Sequence, residues 1–157
     1  MKTTIALLAA LLTLELGGQP ARAADVIETL SSIPSYSTFS SLIAKSGLVD
    51  GLRSLKACTV FVPDNAAFER LGTLDKLQKP ERKEELAQLI PHHVVASLLR
   101  ETAMDGNDFW TATWGGQRMH IDADDRAGIR INDAKVVKVN IAAGNCDIHE
   151  LNRVLWP

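Results

Sequence analysis

The sequence is short of clustered positive charge, cysteine and aromatic rings, and each shortage removes a class of function. No basic run is longer than two residues, and the formal net charge is -2. Phosphate binding needs grouped Lys and Arg, so nucleic acid is not a partner to expect. Two cysteines, Cys58 and Cys146, lie far apart with no paired histidine spacing, which does not make a zinc site. No G-x-S-x-G elbow, G-x-G-x-x-G loop or Walker sequence is present, so the common hydrolase, dinucleotide and phosphate-loop readings fail. Asp122, Asp124 and Asp125 resemble the start of a calcium loop. Arg126 takes a ligand position there and the sixth position holds no glycine, so the stretch reads as a solvated hairpin turn and no metal is expected. Internal repeats, low-complexity segments and linkers are also missing.

What is present suits one globular domain: 157 residues, 46% of them hydrophobic and 23% charged. The first residues read as a leader. Lys2 gives a positive start, Ile5 to Leu14 form an apolar run, and Ala21-Arg22-Ala23 is an A-x-A cleavage site. This predicts a signal peptide over 1–23, a mature domain over 24–157 and a secreted or periplasmic location. The apolar run is too short for a permanent span, no cysteine near the cut supports a lipid anchor, and no later segment is apolar enough to cross a membrane. In an oxidising compartment an even cysteine count suggests one disulfide. Two buried, reduced thiols are the alternative.

Asp25 and Glu28 have capping-box spacing, which predicts a helix from Val26 that ends before Pro34. Phe39, Leu42 and Ile43 fall at helical spacing with Gly47 as the stop. Leu48 to Leu55 reads as another short helix, weakened by Gly51. Thr59–Val62 is a strand, and it runs through Pro63 into Asp64-Asn65. Asp64 caps a helix that buries Ala67, Phe68 and Leu71. Pro80 fits the first turn of a longer helix whose apolar face is Leu86, Leu89 and Ile90. After Pro91 the pattern predicts strands at Phe109–Trp114, Gln117–Asp122, Gly128–Asn132, Lys135–Ile141 and Ile148–Leu155, with hairpin turns at Gly115-Gly116 and Asp124–Gly128. Helices first and strands later, without alternation, indicate α+β.

A strand that turns sharply into a helix often holds a nucleophile or a phosphate. Here the turn carries Asp64-Asn65 and no nucleophile. The four histidines, His92, His93, His120 and His149, each read as hydrogen-bonding residues of the scaffold. On an extended backbone the adjacent His92 and His93 would point to opposite faces and could not share a metal. Trp110, Ala112 and Trp114 fall at period two and so share one strand face. An exposed tryptophan among them is the candidate binding anchor.

Three segments then carry a resemblance. SGLVDGLRSLKACTVFVPDNAAFERL, Ser46 to Leu71, resembles the first signature of the fasciclin-domain family. LIPHHVV, Leu89 to Val95, resembles its middle Tyr-His segment, and NCDIHELNRVLWP, Asn145 to Pro157, its closing segment. TATWGGQRMHI also fits the family's Thr-Leu-x-Gly strand. The likeness spans nearly the whole mature chain, in the family's order. It implies a compact β-rich wedge with flanking N-terminal helices. It also implies a non-enzymatic binding or adhesion module for a cell-surface or matrix protein or glycan. The alternative it implies is a carrier of an apolar small molecule such as a carotenoid. It makes Asp64-Asn65 a structural hinge, with Asn65 bonded across to His93, and His149 a structural member of the closing segment. His92 stands where the family often has tyrosine, which makes it a second binding candidate beside Trp110. Cys146-Asp147 stand where Gly-Val is usual, and Cys146 is expected to pair with Cys58. Trp114 matches a core leucine position and is expected to be buried; Trp110, nearer the strand's start where the family pattern is loose, is read either as a second core ring beside it or as half exposed and free for contact.

Overall fold

The computed structural model describes residues 24–123 and 126–157. The expected leader, 1–23, and the Asp124-Asp125 pair of the calcium-like stretch lie outside the described residues. Helix α1 (Val26–Ser32) opens with the capping box: the Glu28 amide donates to the Asp25 carboxylate at 2.9 Å, and the Asp25 amide to the Glu28 carboxylate at 3.0 Å. The Glu28 amide is the main reason the Asp25 carboxyl is held below the usual carboxylate range. A proline turn, Pro34–Tyr36, leads into α2 (Ser37–Ser46), which buries Phe39, Leu42 and Ile43. It stops at Gly47, whose φ of 76° is left-handed and free of Cβ strain only in glycine. In α3 (Val49–Arg53), Gly51 has a packing reason: a Cβ there would lie 3.0 Å from the Trp114 ring.

Strand β1 (Cys58–Pro63) is buried at every position. The Ala67 amide donates to the Asp64 carboxylate at 2.7 Å, capping α4 (Asn65–Leu71) as the sequence predicts. Then come α5 (Leu74–Leu77), a 3-10 turn at Pro80–Arg82 and α6 (Lys83–His92), which buries Leu86, Leu89 and Ile90. The remaining elements are β2 (Val94–Val95), α7 (Glu101–Met104), β3 (Asp108–Ala112), β4 (Arg118–Asp122), β5 (Arg130–Ile131), β6 (Ala134–Ala143) and β7 (Cys146–Leu151). Among the described residues the strands form one sheet in the order β2-β1-β7-β6-β5-β4-β3. The β1–β7 pair is parallel, with Cys58 opposite Cys146, and every other neighbouring pair is antiparallel.

The architecture is α+β, as the order of patterns predicts. Two strands stop early. The one expected to reach Trp114 ends at Ala112, because the Trp114 amide leaves the hairpin to donate to the Val94 carbonyl at 2.6 Å. The one expected to reach Leu155 ends at Leu151, because the tail turns inward and the Leu155 amide donates to His93 Nε2 at 2.9 Å. Two apolar clusters lie on the two sides of β1 and β7. Val60, Val62 and Ile148 face α1, α2 and α6, while Phe61 and Leu151 join Met119, Ile121 and Ile131 beneath the outer strands.

Candidate functional site

The β3–β4 hairpin is covered on one face only. Met119 and Ile121 are buried, Phe109 is half-buried, and Asp108, Trp110, Ala112 and Arg118 are exposed. The register places Trp110 directly opposite His120 and Ala112 opposite Arg118. Cross-strand neighbours on one face touch, and here the Trp110 and His120 rings stack at 4.6 Å between centroids. The Arg118 guanidinium lies 4.8 Å from the Trp110 ring centre, a cation–π distance. His120 Nε2 donates to Asp108 Oδ1 at 2.6 Å, which fixes the imidazole. Trp110 is 55% exposed despite these contacts. The result is a large apolar ring held in place, ringed by one cation, one carboxylate and one imidazole. Such a surface is pre-ordered for contact.

Trp114, two residues on, does the opposite. It is half-buried and packs against the helical cluster over Gly51. Period two would have put both rings on one face. The chain leaves the strand after Ala112, so the two diverge.

A second concavity lies between α4, α5, α6 and the tail. It has a volume of about 660 Å³ and is lined by Leu71, Leu77, Leu89 and Trp156, with Lys76 and Arg82 at its polar side. Trp156 is 53% exposed.

His92, expected to contact a partner, is only 5% exposed. It lies in the last turn of α6, not on an extended segment, so it turns inward against the 6.3 Å distant ring of His93. Among the described residues neither of its ring nitrogens makes a close hydrogen bond, and burial, opposed only in part by the Gln117 side chain, holds its pKa below the ordinary value. As placed, it cannot touch a large partner at the surface.

The expected Asn65–His93 bond is absent. The Asn65 side chain instead holds the entry to α2, accepting from the Thr38 amide at 3.0 Å and donating to the Pro34 carbonyl at 3.0 Å. His93 is fully buried: Nδ1 donates to the Leu89 carbonyl at 2.9 Å, and Nε2 accepts from the Leu155 amide. The hinge therefore ties β1 to α2, while His93 ties α6 to the tail. Burial, with the adjacent His92 as a smaller cause and the Leu89 carbonyl opposing them, pushes the His93 pKa down to about 4. His149 has the same design. Its Nε2 donates to the Leu99 carbonyl at 2.6 Å, its Nδ1 accepts from the Asn140 amide at 3.2 Å, and burial lowers its pKa.

The family model for the fasciclin domain matches residues 34–157. The chain belongs to the fasciclin-domain family. Its fasciclin domain superposes with a TM-score of 0.74 on a FAS1 domain pair from the insect cell adhesion molecule Fasciclin I. That match has 16% identity and covers 87% of this chain and 52% of the other, so the chain spans about half of that pair. Protein sll1483 of Synechocystis is 27% identical over 86% of this chain and 74% of its own length. The cell surface glycolipoprotein MPB83 of Mycobacterium bovis is 28% identical over 90% of this chain and 64% of its own.

This fasciclin domain is closed by the Cys58–Cys146 disulfide, which joins the two central parallel strands. Toward the other end of β7, the Tyr36 hydroxyl donates to the buried Glu150 carboxylate at 2.6 Å, and Lys138 Nζ lies 3.4 Å from the same oxygen. Burial, then that carboxylate, raises the Tyr36 pKa far above its ordinary value. Among the described residues no group of three His, Cys, Asp or Glu side chains is placed to hold a metal ion, and no helix is long and apolar enough to cross a membrane. Sequence reasoning missed the partners of Trp110. A two-residue turn at Gly115-Gly116 would have set Ile121 opposite Trp110; the observed loop takes in Trp114 as well, closing Thr113 on Gln117, and that one-residue shift is what brings His120 opposite Trp110. It also missed the α4–α6 concavity, which depends on where the tail returns.

Proposed function

We propose that residues 24–157 act, after export to the periplasm or beyond the cell, as a non-enzymatic adhesion module. Its target is a cell-surface or matrix protein or glycan, met through the outward face of β3 and β4. The observation that carries this is Trp110, 55% exposed and locked between His120 and Arg118 in a domain whose other large rings are mostly buried. Tryptophan is enriched among the residues that dominate interfaces, and an ordered ring loses little entropy on contact. The named relatives support the setting, since one is a domain pair from a cell adhesion molecule and one a cell surface glycolipoprotein. The test is retention of labelled protein on whole cells and on isolated matrix. Wild type is retained, and Trp110→Ala loses most of the signal with an unchanged unfolding midpoint. Equal retention of the two removes Trp110 as the contact.

A second reading, carriage of an apolar small molecule such as a carotenoid, is favoured by the 660 Å³ concavity at Leu71, Leu77, Leu89 and Trp156. Mass spectrometry of an organic extract of the purified protein separates the two. A stoichiometric lipid or pigment supports the carrier, and a clean extract with cell binding supports adhesion.

A further inference from the structure

Among the described residues strand β3 is the last of its sheet and has a neighbour, β4, on one side only. The register decides which backbone groups its open side offers. The Ala123 amide donates to the Asn107 carbonyl at 2.8 Å and the Thr113 amide to the Gln117 carbonyl at 2.7 Å. In this register the residues bonded across to β4 are Asn107, Phe109, Thr111 and Thr113. Alternation then turns the N–H and C=O groups of Asp108, Trp110 and Ala112 to the open edge. Sheet edges are ordinarily blunted by lysine, proline or a bulge. DFWTA has neither residue, and its pairing with β4 runs without a shift.

The same three residues carry the outward side chains, and their charges are arranged to suit one occupant. Along the edge the row reads Asp108, Trp110, Ala112. The row behind it in β4 reads Asp122, His120, Arg118. The hairpin is thus acidic at one end and basic at the other. A copy turned about a two-fold axis through Trp110 sets each Asp108 opposite the other's Ala112, with the other's Arg118 directly behind. Ala112 is too small to block the approach, and Arg118 already leans over Trp110 toward the edge.

We propose that two copies of this chain pair edge to edge through β3, antiparallel and two-fold about Trp110. The three opposed pairs exchange about six backbone hydrogen bonds. Asp108 of each copy meets Arg118 of the other, and the two Trp110 rings come to lie side by side. This goes beyond the binding role proposed above. The pairing uses the strand's edge, whereas that contact uses its face, and the paired form presents one platform with two rings. A five-residue edge falls short of the roughly 1,000 Å² of a stable interface, so the dimer is weak and concentration-dependent.

Sedimentation velocity of the purified protein over a concentration series reads this directly. Wild type moves from monomer to dimer as concentration rises. Asp108→Arg and Arg118→Asp each weaken dimerisation roughly tenfold, because two symmetry-related attractions become repulsions. The Asp108→Arg/Arg118→Asp double variant restores it to within about threefold. Ala112→Lys, a change at an exposed position that leaves the fold intact, abolishes the dimer. A protein that stays monomeric throughout overturns the proposal. So does a dimer indifferent to Ala112→Lys, and so does a double variant no better than its parents. Cell retention of wild type and Trp110→Ala is read separately, so failure of the dimer and failure of the adhesion reading are told apart.

Discussion

Strands β1 and β3 belong to the same sheet and live in different solvents. β1 is buried at all six of its positions, while β3 alternates between exposed and half-buried. β1 has β2 on one side and β7 on the other, an apolar cluster on each face, and a disulfide at its start. β3 has one neighbour and one covered face. A residue lost from β1 therefore removes packing on several sides, whereas the outward residues of β3 stabilise little and are available for contact. Stability should concentrate at β1 and β7, and binding at β3 and β4.

Breaking the disulfide tests the stable half most severely. It closes a loop with a sequence separation of 88 residues, for which chain entropy gives about 4.5 kcal/mol as an upper figure. Cys58→Ala/Cys146→Ala should lower the free energy of unfolding in denaturant by up to that amount, and free-thiol titration of unreduced, denatured wild type should find none. A loss under about 1 kcal/mol would show that the β1–β7 pair needs no tether.

Acid should loosen the same half. His93 has a pKa of about 4 when folded, against 6.5 ordinarily. Between those values the unfolded chain binds a proton that the folded chain refuses. Stability is complete above pH 6.5, falls as pH drops, and levels off near pH 4, by which point about 3 kcal/mol is gone. The buried His92 and His149 act in the same direction. Denaturant midpoints from pH 7 downward read this, and His93→Gln should flatten the slope. An unchanged slope would assign the acid sensitivity to the other two.

Trp114→Ala, at the boundary between the halves, should cost about 2.5 kcal/mol, since it empties the space over Gly51 that the ring fills. A cost near zero would move Trp114 into the exposed half. Asn65→Ala should cost about 1 kcal/mol through its bonds to Pro34 and Thr38. Combined with His93→Ala it should show a coupling energy within about 0.5 kcal/mol of zero, because the two side chains share no bond. A larger coupling would restore the link that the family resemblance implies.

The helical half was the more legible from sequence. The Asp25–Glu28 and Asp64 caps and the Gly47 stop are local signals with local causes, and they appear where the spacing places them. The disulfide followed from cysteine count and the family pattern. α5, α7 and β2 have four residues or fewer and too few turns or alternations to show a period. The sequence reading of His93 as a hydrogen-bonding scaffold residue holds, but the extended backbone expected at His92 and His93 does not form, because α6 carries Pro91 in its last turn. The candidate site was half legible. Trp110 stood out by residue type, but its neighbours Arg118 and His120 come from hairpin register, and the separation of Trp110 from Trp114 comes from a single long-range bond to Val94. Asn65–His93 shows the limit of reasoning from a family, since both residues are structural but serve different joints.

The smallest expected stability effect is the most informative. Trp110→Ala removes the stack on His120 and the contact with Arg118, both at the surface. Solvent already reaches more than half of the ring, which is 55% exposed, so little apolar area is lost from the interior. Surface changes of this kind fall near 0.5 kcal/mol. The variant should thus unfold within about 0.5 kcal/mol of wild type while losing most of its retention on cells or matrix. Trp110→Phe, which keeps a flat apolar face, should recover part of that retention. If Trp110→Ala instead unfolds as readily as Trp114→Ala, the ring is a structural part of the hairpin. The division between a stabilising β1 and a contacting β3 would then fail at the residue on which it most depends.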